Sequence, residues 1–359
     1  NNDNYKMVYP QPNWSFDSLK NVELNLKGHG RFEWKEKGED YIKQILPPAI
    51  SGMEYSAENL IAEMDYAGVD MGILHTSPHF GLLNKYLGNV AEKYPDRFFD
   101  VGIAEQNMVN IAAGLAASGK IPIVSTFAVF GSTRPMDQLR VGVAQSNLNV
   151  KVILTHAGLI TGEDGISAQS LEDISLFLSL HSFSVLVPSD AYEAQAAVEL
   201  AVNTPGPFYI RLSRPETPVL NHENIQLQQG GSNVMVNGSN ISIFACGYMV
   251  YHAIEAAKIL KERHGISPRV VNIYSLNPID ESIIIKCAKE SQFILTVEEH
   301  FKYGGLHSLI SQIVAQNSPV KVLSVSMNTY AESGTSDELI NKYGLNFNSI
   351  VEKVLANLS

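Results

Sequence analysis

Residues 102–127, GIAEQNMVNIAAGLAASGKIPIVSTF, decide the fold class because an amphipathic helix in them leads directly into a buried strand. In the first part, apolar residues recur at the spacing of one helix face: Met108, Ile111, Ala112, Leu115 and Ala116. The second part, IPIVSTF (121–127), is a short and nearly continuous apolar run, which is typical of a parallel strand covered on both faces. The stretch therefore predicts one helix–strand unit of an α/β sheet.

The same alternation extends along the chain on both sides of this stretch. Further strands are predicted at VDMGILHTS (69–77), VKVILTHA (150–157), SVLVPSD (184–190) and PFYIRLS (207–213). Helical periodicity is found over 104–118, 135–147, 168–181 and 191–203. Because strands that alternate with helices form βαβ units, we predict a doubly wound, mostly parallel α/β sheet.

A second domain is predicted after residues 214–240, a polar stretch with proline and glycine that is typical of a linker and leaves room for a short edge hairpin. Beyond it the alternation restarts and ends in a helix over 346–358. The polar first part of the chain adds helices over 57–66 and 80–93. The predicted division is an atypical N-terminal segment (1–50), a larger α/β domain (51–225, with 51–97 atypical) and a smaller α/β domain (232–359).

Composition and charge exclude several classes of function. The net charge of −11 argues against a surface for nucleic acid or anionic lipid. No apolar run reaches the ~18 residues of a membrane span, and the N-terminus has no secretory-signal pattern. Cys246 and Cys287 match no metal-binding spacing and are predicted to be reduced, buried thiols. We therefore expect a cytoplasmic protein that binds neither nucleic acid nor membrane.

Glu105 is an ionisable residue in an unusual place. It lies between a short apolar run and the small-residue helix, and its neighbours Ile103 and Ala104 offer it no ionic partner. Such a carboxylate either caps its own helix at an exposed turn or performs chemistry in a dry pocket, where hydrogen bonds are strong. The residue pattern by itself leaves both interpretations open.

Five motifs occur along the chain in one order and spacing: GIAEQNMVNIAAGLAASG, VSTFAVFGSTRPMDQLR, LTHAGLITGEDG, YIRLSRPETPV and YAESGTSDELINKYGL. Together they resemble the pyrimidine-binding and C-terminal domains of the transketolase family. The resemblance covers roughly residues 95–359 and looks closest to the split transketolases, whose C-terminal half is a separate subunit. It implies the transfer of a two-carbon ketol unit between sugar phosphates.

The resemblance also implies thiamine diphosphate as cofactor and assigns three residues to it. Glu105 is expected to bond the ring nitrogen N1′ of the aminopyrimidine, so that the cofactor can act as its own base. Phe127 and Phe130 are expected to line this ring, with Phe130 stacked on it, since flat aromatic faces suit a flat heteroaromatic ring. Without the resemblance, two core phenylalanines would be the better interpretation.

The residues expected to bind the sugar-phosphate substrate, on the substrate side of the site, follow from the same resemblance. His156 and Asp164 are expected to contact the phosphate and hydroxyl groups of a sugar phosphate, and Arg214 to hold the phosphate through bidentate bonds. A structural histidine and a surface ion pair are the alternatives. Ala168 departs from the family pattern because it occupies the position of a substrate-binding histidine. Alanine offers no hydrogen bond, so the sugar substrate is expected to differ from that of ordinary transketolases.

The family binds the cofactor's diphosphate and its Mg²⁺ through a Gly-Asp-Gly … Asn motif, which these residues lack. We therefore expect no metal ligands in this chain and a partner subunit, the N-terminal transketolase subunit, that supplies them. The resemblance further implies a homodimer core within a heterotetramer.

Residues from about 23 to 97 resemble instead a segment of the barrel-shaped metal-dependent amidohydrolases, through GHGRFEW, PPAISGMEYSAENLIAEMDYAGVD and YPDRF. Those enzymes need a His-x-His pair, whereas this segment has only His29, His75 and His79. Hydrolase activity is therefore not expected.

Two further functions stay open. A 2-oxoacid dehydrogenase β subunit or a deoxyxylulose-phosphate-synthase-like enzyme is disfavoured, since FAVFGSTRPMDQLR lacks the Tyr-Ile-Phe-Pro stretch of the former and the double histidine of the latter is missing. A non-catalytic assembly protein on the same fold agrees with Ala168 and with the unusual N-terminus.

Overall fold

The computed structural model describes residues 97–358 and five short strands upstream of them: Lys6–Met7, Asn25–Leu26, Arg31–Glu36, Glu39–Gln44 and Met71–Leu74. The helices predicted over 57–66 and 80–93, and the histidines His29, His75 and His79, lie outside the described residues. Within the described part of the chain, no helix is both long enough and apolar enough to cross a membrane.

A small sheet near the N-terminus contains β1 (Lys6–Met7), β2 (Asn25–Leu26), β3 (Arg31–Glu36) and β4 (Glu39–Gln44), in the order β1-β4-β3-β2. β3 and β4 are antiparallel, and Glu36 pairs with Glu39, so two residues connect them. In RFEWKE the aromatic residues alternate with charged ones, which is the two-residue period of a strand. The sequence analysis did not predict this sheet, because such short, charged strands give a weak signal.

The larger sheet is built from β5 (Met71–Leu74), β6 (Phe98–Asp100), β7 (Pro122–Ser125), β8 (Lys151–Leu154), β9 (Ser184–Leu186) and β10 (Phe208–Arg211). These strands are parallel and lie in the order β9-β10-β8-β7-β5-β6. β8, β9 and β10 are almost fully buried, as strands covered on both faces are. The predicted parallel α/β sheet is confirmed, and the strand expected within 69–77 belongs to it.

Among the described residues of this domain, the α-helices of six or more residues are α1 (Glu105–Ala117), α2 (Ala128–Thr133), α3 (Asp173–Leu178) and α4 (Ala191–Asn203). The helices predicted over 104–118 and 191–203 are confirmed. α4 begins where predicted because the Asp190 side chain accepts a hydrogen bond from the Glu193 backbone N–H and so caps the helix.

The other two helix predictions were partly wrong. In place of the single helix expected over 135–147, two short helical stretches follow α2 and the break at Pro135, which has no backbone N–H to donate. After it, Met136–Gln138 leads into the π-helical stretch Leu139–Ala144. The helix expected over 168–181 is shorter, because residues 165–172, after the 3₁₀ stretch Leu159–Asp164, form an irregular loop.

The C-terminal domain adds the strands β11 (Asn233–Val236), β12 (Asn240–Ala245), β13 (Arg269–Asn272), β14 (Ser275–Asn277), β15 (Ser291–Phe301) and β16 (Lys321–Met327). Its helices are α5 (Met249–His264), α6 (Glu281–Glu290), α7 (Leu306–Asn317), α8 (Ser336–Lys342) and α9 (Phe347–Leu355). The sheet order is β11-β13-β12-β15-β16, with β11 antiparallel to β13. An edge strand is therefore present, but it pairs with β13 and forms no hairpin with β12.

The two domains are joined by β14, which leaves the C-terminal domain and pairs antiparallel with β9 of the larger sheet. The Asn277 side chain secures the join by donating a 2.6 Å hydrogen bond to the Phe183 carbonyl oxygen. One hydrophobic cluster runs through the junction and includes Cys246 and Cys287, which are buried free thiols as predicted.

Candidate active site

The candidate residues lie beyond the carboxyl ends of the parallel strands of the larger sheet. Glu105 follows β6, Phe127 follows β7, His156 follows β8 and Arg214 follows β10. Because parallel strands end at the same edge, the order β10-β8-β7-β5-β6 brings these segments to one side of the sheet. Open α/β sheets bind their ligands at this edge, so the topology favours a ligand site here.

Glu105 is the first residue of α1 and is only 3% exposed. Its carboxylate accepts a 2.7 Å hydrogen bond from Nη1 of Arg134, which directly follows α2. The sequence analysis found no partner for Glu105 because it considered chain neighbours, whereas Arg134 is 29 residues away. The interpretation of Glu105 as a cap at an exposed turn is excluded by its burial.

Two phenylalanines form a stacked aromatic platform next to this ion pair. The rings of Phe127 and Phe130 lie 5.7 Å apart at an angle of 10°. The Arg134 guanidinium lies 4.0 Å from the Phe130 ring centre, and the His156 ring stacks on Phe127 at 3.6 Å. A row of planar groups therefore runs from His156 to Glu105. Arg134 was missed, although its i+4 spacing from Phe130 on one helical turn could have indicated the contact.

His156 is held in an uncommon conformation and kept neutral. Its φ of 58° lies in the left-handed region, and its ring nitrogen Nδ1 is 2.9 Å from the Thr155 hydroxyl. Burial lowers the pKa of His156 to about 4, and the positive charge of Arg214 adds to this effect. At neutral pH the imidazole therefore offers one donor and one acceptor and carries no charge.

Arg214 and Asp164 complete the second half of the site. Arg214 Nε lies 3.2 Å from an Asp164 oxygen, and Nη1 donates to Glu163 at 2.6 Å. The same Asp164 oxygen lies 3.9 Å from Nε2 of His156. Burial raises the pKa of Asp164, Arg214 opposes the rise and Glu163 adds to it. The structure thus brings together the three residues predicted for the substrate side, and it adds Glu163, which was missed.

Ala168 is buried, with 6% of its surface exposed, and contributes no polar group. The neighbouring atoms Gln169 Oε1 and Ser170 Oγ are buried and have no hydrogen-bond partner within the described part of the chain. In the described part of the chain, no cluster of three or more His, Cys, Asp or Glu side chains is placed to hold a metal ion.

Both domains match a family model. Residues 63–219 match the transketolase pyrimidine binding domain, and residues 230–350 match the transketolase C-terminal domain. The first match begins upstream of residue 95, so the part of the amidohydrolase-like segment from 63 to 97 falls within it. β5 therefore belongs to the same domain as the strands that follow it.

Two relatives and one solved structure match this chain over most of their own length. The chain is 38% identical over 272 residues to a protein named as a transketolase C-terminal section from Methanocaldococcus jannaschii, a match covering 75% of this chain and 85% of the relative. It is 35% identical over 271 residues to a subunit of the apulose-4-phosphate transketolase of Phocaeicola vulgatus, covering 75% and 86%. A solved split-gene transketolase, described as an inactive β4 tetramer, superposes with a TM-score of 0.75 at 35% identity, over 82% of this chain and 94% of that one.

Proposed function

Since this chain belongs to the transketolase family, we propose that it is the pyrimidine-binding subunit of a two-chain transketolase that moves a two-carbon ketol unit between sugar phosphates. The observation that carries the proposal is the buried carboxylate of Glu105 beside the stacked rings of Phe127 and Phe130, within one row of planar groups that reaches His156. This pairs a proton-handling group with a flat aromatic platform.

The residues on the cofactor side fit an aminopyrimidine. Phe127 and Phe130 are partly exposed and their rings are nearly parallel, which suits the stacking of a further planar ring. Thiamine diphosphate, when bound, supplies the carbanion chemistry of ketol transfer. With the cofactor bound, the Glu105 carboxylate would hydrogen-bond the pyrimidine ring nitrogen, and Arg134, whose Nη1 donates to it at 2.7 Å in this structure, would have to yield or share this carboxylate.

The substrate side is suited to a phosphorylated sugar. Arg214 supplies a guanidinium that can bind phosphate oxygens in pairs, and the neutral His156 imidazole adds a hydrogen bond without charge. Asp164 accepts hydrogen bonds from sugar hydroxyl groups. Ala168, at the position where ordinary transketolases carry a histidine, offers no hydrogen bond, which supports a different acceptor or donor sugar.

The cofactor's diphosphate and Mg²⁺ are assigned to a separate N-terminal subunit, and two copies of this chain to a homodimer core within a heterotetramer. One relative is named as a C-terminal section and the other as one subunit of a transketolase, and both names support a divided enzyme. The description of the related solved tetramer of β chains as inactive supports an activity that needs a further subunit.

A reconstitution assay tests the proposal. The chain is co-purified with a candidate N-terminal subunit carrying Gly-Asp-Gly … Asn, preferably one encoded next to it, and assayed with thiamine diphosphate, Mg²⁺, a ketose phosphate donor and an aldose phosphate acceptor. We expect ketol transfer by the mixture and none by either chain alone. Decarboxylation of a 2-oxoacid without ketol transfer would favour the dehydrogenase alternative, and a complex inactive with both substrate classes would favour an assembly protein.

A further inference from the structure

The loop from His156 to Gly165 carries two residues of the proposed phosphate site in a backbone conformation that needs outside support. φ is positive at His156 (58°), Gly158 (83°), Gly162 (70°) and Gly165 (79°). Glycine adopts positive φ readily, whereas a side-chain-bearing residue such as His156 persists in this conformation only where the surrounding structure holds it. The position of this loop therefore depends on what it packs against.

The C-terminal domain supplies this support at Ile160. The Ile160 backbone N–H donates to Glu299 Oε2 at 3.2 Å, and the Ile160 carbonyl oxygen accepts a 2.9 Å hydrogen bond from the Ser336 hydroxyl. The side chains of Leu159 and Ile160 are fully buried in the hydrophobic cluster of the C-terminal domain. Both polar groups and the side chain of Ile160 are thus bound by the other domain.

Three glycines of the loop allow this close contact. A Cβ atom at Gly158 would collide with the Glu299 carboxylate, and one at Gly165 would collide with the Ser333 hydroxyl. At Gly162 it would lie 3.2 Å from the carbonyl oxygen of Gly334. The loop and the segment before α8 therefore approach backbone to backbone at Gly162 and Gly334. The motif YAESGTSDELINKYGL thus contacts the loop although it lies far along the chain from it.

Glu299 is itself fixed by a buried network. Arg211 donates from Nη1 to Glu299 Oε1 at 3.4 Å, and from Nε to Asp173 Oδ2 at 2.7 Å. Tyr209 donates to the same Asp173 oxygen at 2.5 Å. All four side chains are buried. With Oε1 occupied by Arg211, the other carboxylate oxygen is directed at the Ile160 N–H.

We propose that Glu299 and Ser336 are positioning residues, through which the C-terminal domain sets the geometry of the phosphate-binding residues in the proposed function. Both bind the backbone of Ile160, and the neighbouring Thr161 connects Ile160 to the phosphate-binding residues. The Thr161 hydroxyl donates to the His156 carbonyl oxygen at 2.7 Å, and the Thr161 carbonyl oxygen accepts from Arg214 at 3.3 Å. A displacement at Ile160 therefore moves both His156 and the Arg214 contact.

Hydrogen–deuterium exchange on the full chain tests the positioning directly. Ser336→Ala removes one hydrogen bond to the loop, and we expect backbone amides within 157–165 to exchange about 2- to 10-fold faster. Ser336→Thr keeps the hydroxyl and should restore slow exchange. Asn346→Ala is the matched control, because it removes the cap of α9 in the same domain and should leave the loop unchanged. Unchanged exchange in Ser336→Ala, or an equal rise in Asn346→Ala, overturns the proposal.

A second variant and a kinetic readout separate this proposal from the proposed function. Glu299→Gln leaves a single acceptor oxygen for Arg211 and Ile160, and should loosen the same segment. In the two-subunit enzyme, Ser336→Ala should raise KM for the sugar phosphate about 2- to 10-fold with kcat nearly unchanged, and Ser336→Thr should restore it. Absence of ketol transfer in the wild-type complex refutes the function, while the exchange result still decides the positioning. An active complex with an unaltered loop refutes the positioning alone.

Discussion

Replacing Arg214 by lysine keeps the positive charge of the proposed phosphate site and removes its geometry. The guanidinium donates from Nη1 to Glu163 at 2.6 Å and to the Thr161 carbonyl oxygen at 3.3 Å, and its Nε lies 3.2 Å from Asp164. Within residues 97–358, Nη2 makes no hydrogen bond, which leaves this group available to a ligand. A lysine ammonium is a single point and cannot hold two carboxylates and also bind a phosphate in a fork.

The expected loss in kcat/KM of Arg214→Lys follows from the loss of one charge-assisted hydrogen bond to the phosphate. Such a bond is worth about 1.5–3 kcal/mol, and 1.4 kcal/mol corresponds to about tenfold, so the loss in kcat/KM is roughly 10- to 150-fold. If the phosphate is held equally in the ground state and the transition state, the loss appears mainly in KM. For an acceptor without a phosphate group, the loss should vanish.

Steady-state kinetics of the two-subunit enzyme with phosphorylated and unphosphorylated acceptors measure this difference. Arg269→Lys, on β13, is a matched control. The Arg269 side chain is 15% exposed against 16% for Arg214, and it is paired with Glu290 at 2.6 Å. It should leave both kinetic constants unchanged. An equal loss of efficiency with both acceptors would mean that Arg214 is structural. No loss with either would move the phosphate site elsewhere or mark Ala168 as part of a pocket built for another substrate.

Three further predictions concern the catalytic residue, the cofactor and pH. Glu105→Gln should leave fold and assembly intact and lower turnover at least ~10²-fold. The control Glu352→Gln, on the exposed face of α9, should leave turnover unchanged. Near-normal turnover of Glu105→Gln would remove Glu105 from the mechanism. By calorimetry with Mg²⁺, the isolated chain should bind thiamine diphosphate weakly or not at all, because the diphosphate needs a metal for charge neutralisation; tight binding would refute the divided site. Because the pKa of His156 is lowered to about 4 in the folded chain, the unfolded chain takes up the proton first as the pH falls from 6.5. The free energy of unfolding should therefore drop by about 2 kcal/mol between pH 6.5 and 5, and His156→Gln should abolish this part of the drop; parallel pH curves would contradict the assignment.

The sequence was sufficient for the parallel α/β class and for most strands of the larger sheet, although the helices over 135–147 and 168–181 were predicted only in part. Buried parallel strands leave continuous apolar runs, and helices leave a 3.6-residue period, so both can be recognised locally. Because the carboxyl ends of parallel strands share one edge, residues that directly follow β7, β8 and β10 had to come together. Phe127, His156 and Arg214 were assigned through the family resemblance, and this shared edge is the physical reason that they lie together.

The pairings between distant segments were decided only by the tertiary structure. Arg134 pairs with Glu105, β14 enters the larger sheet beside β9, and Ser336 reaches Ile160 across 176 residues. Each depends on how loops direct the chain and on how closely two backbones approach, as at Gly158 and Glu299. Periodicity records which face of an element is buried, but it carries no information about which distant group covers that face.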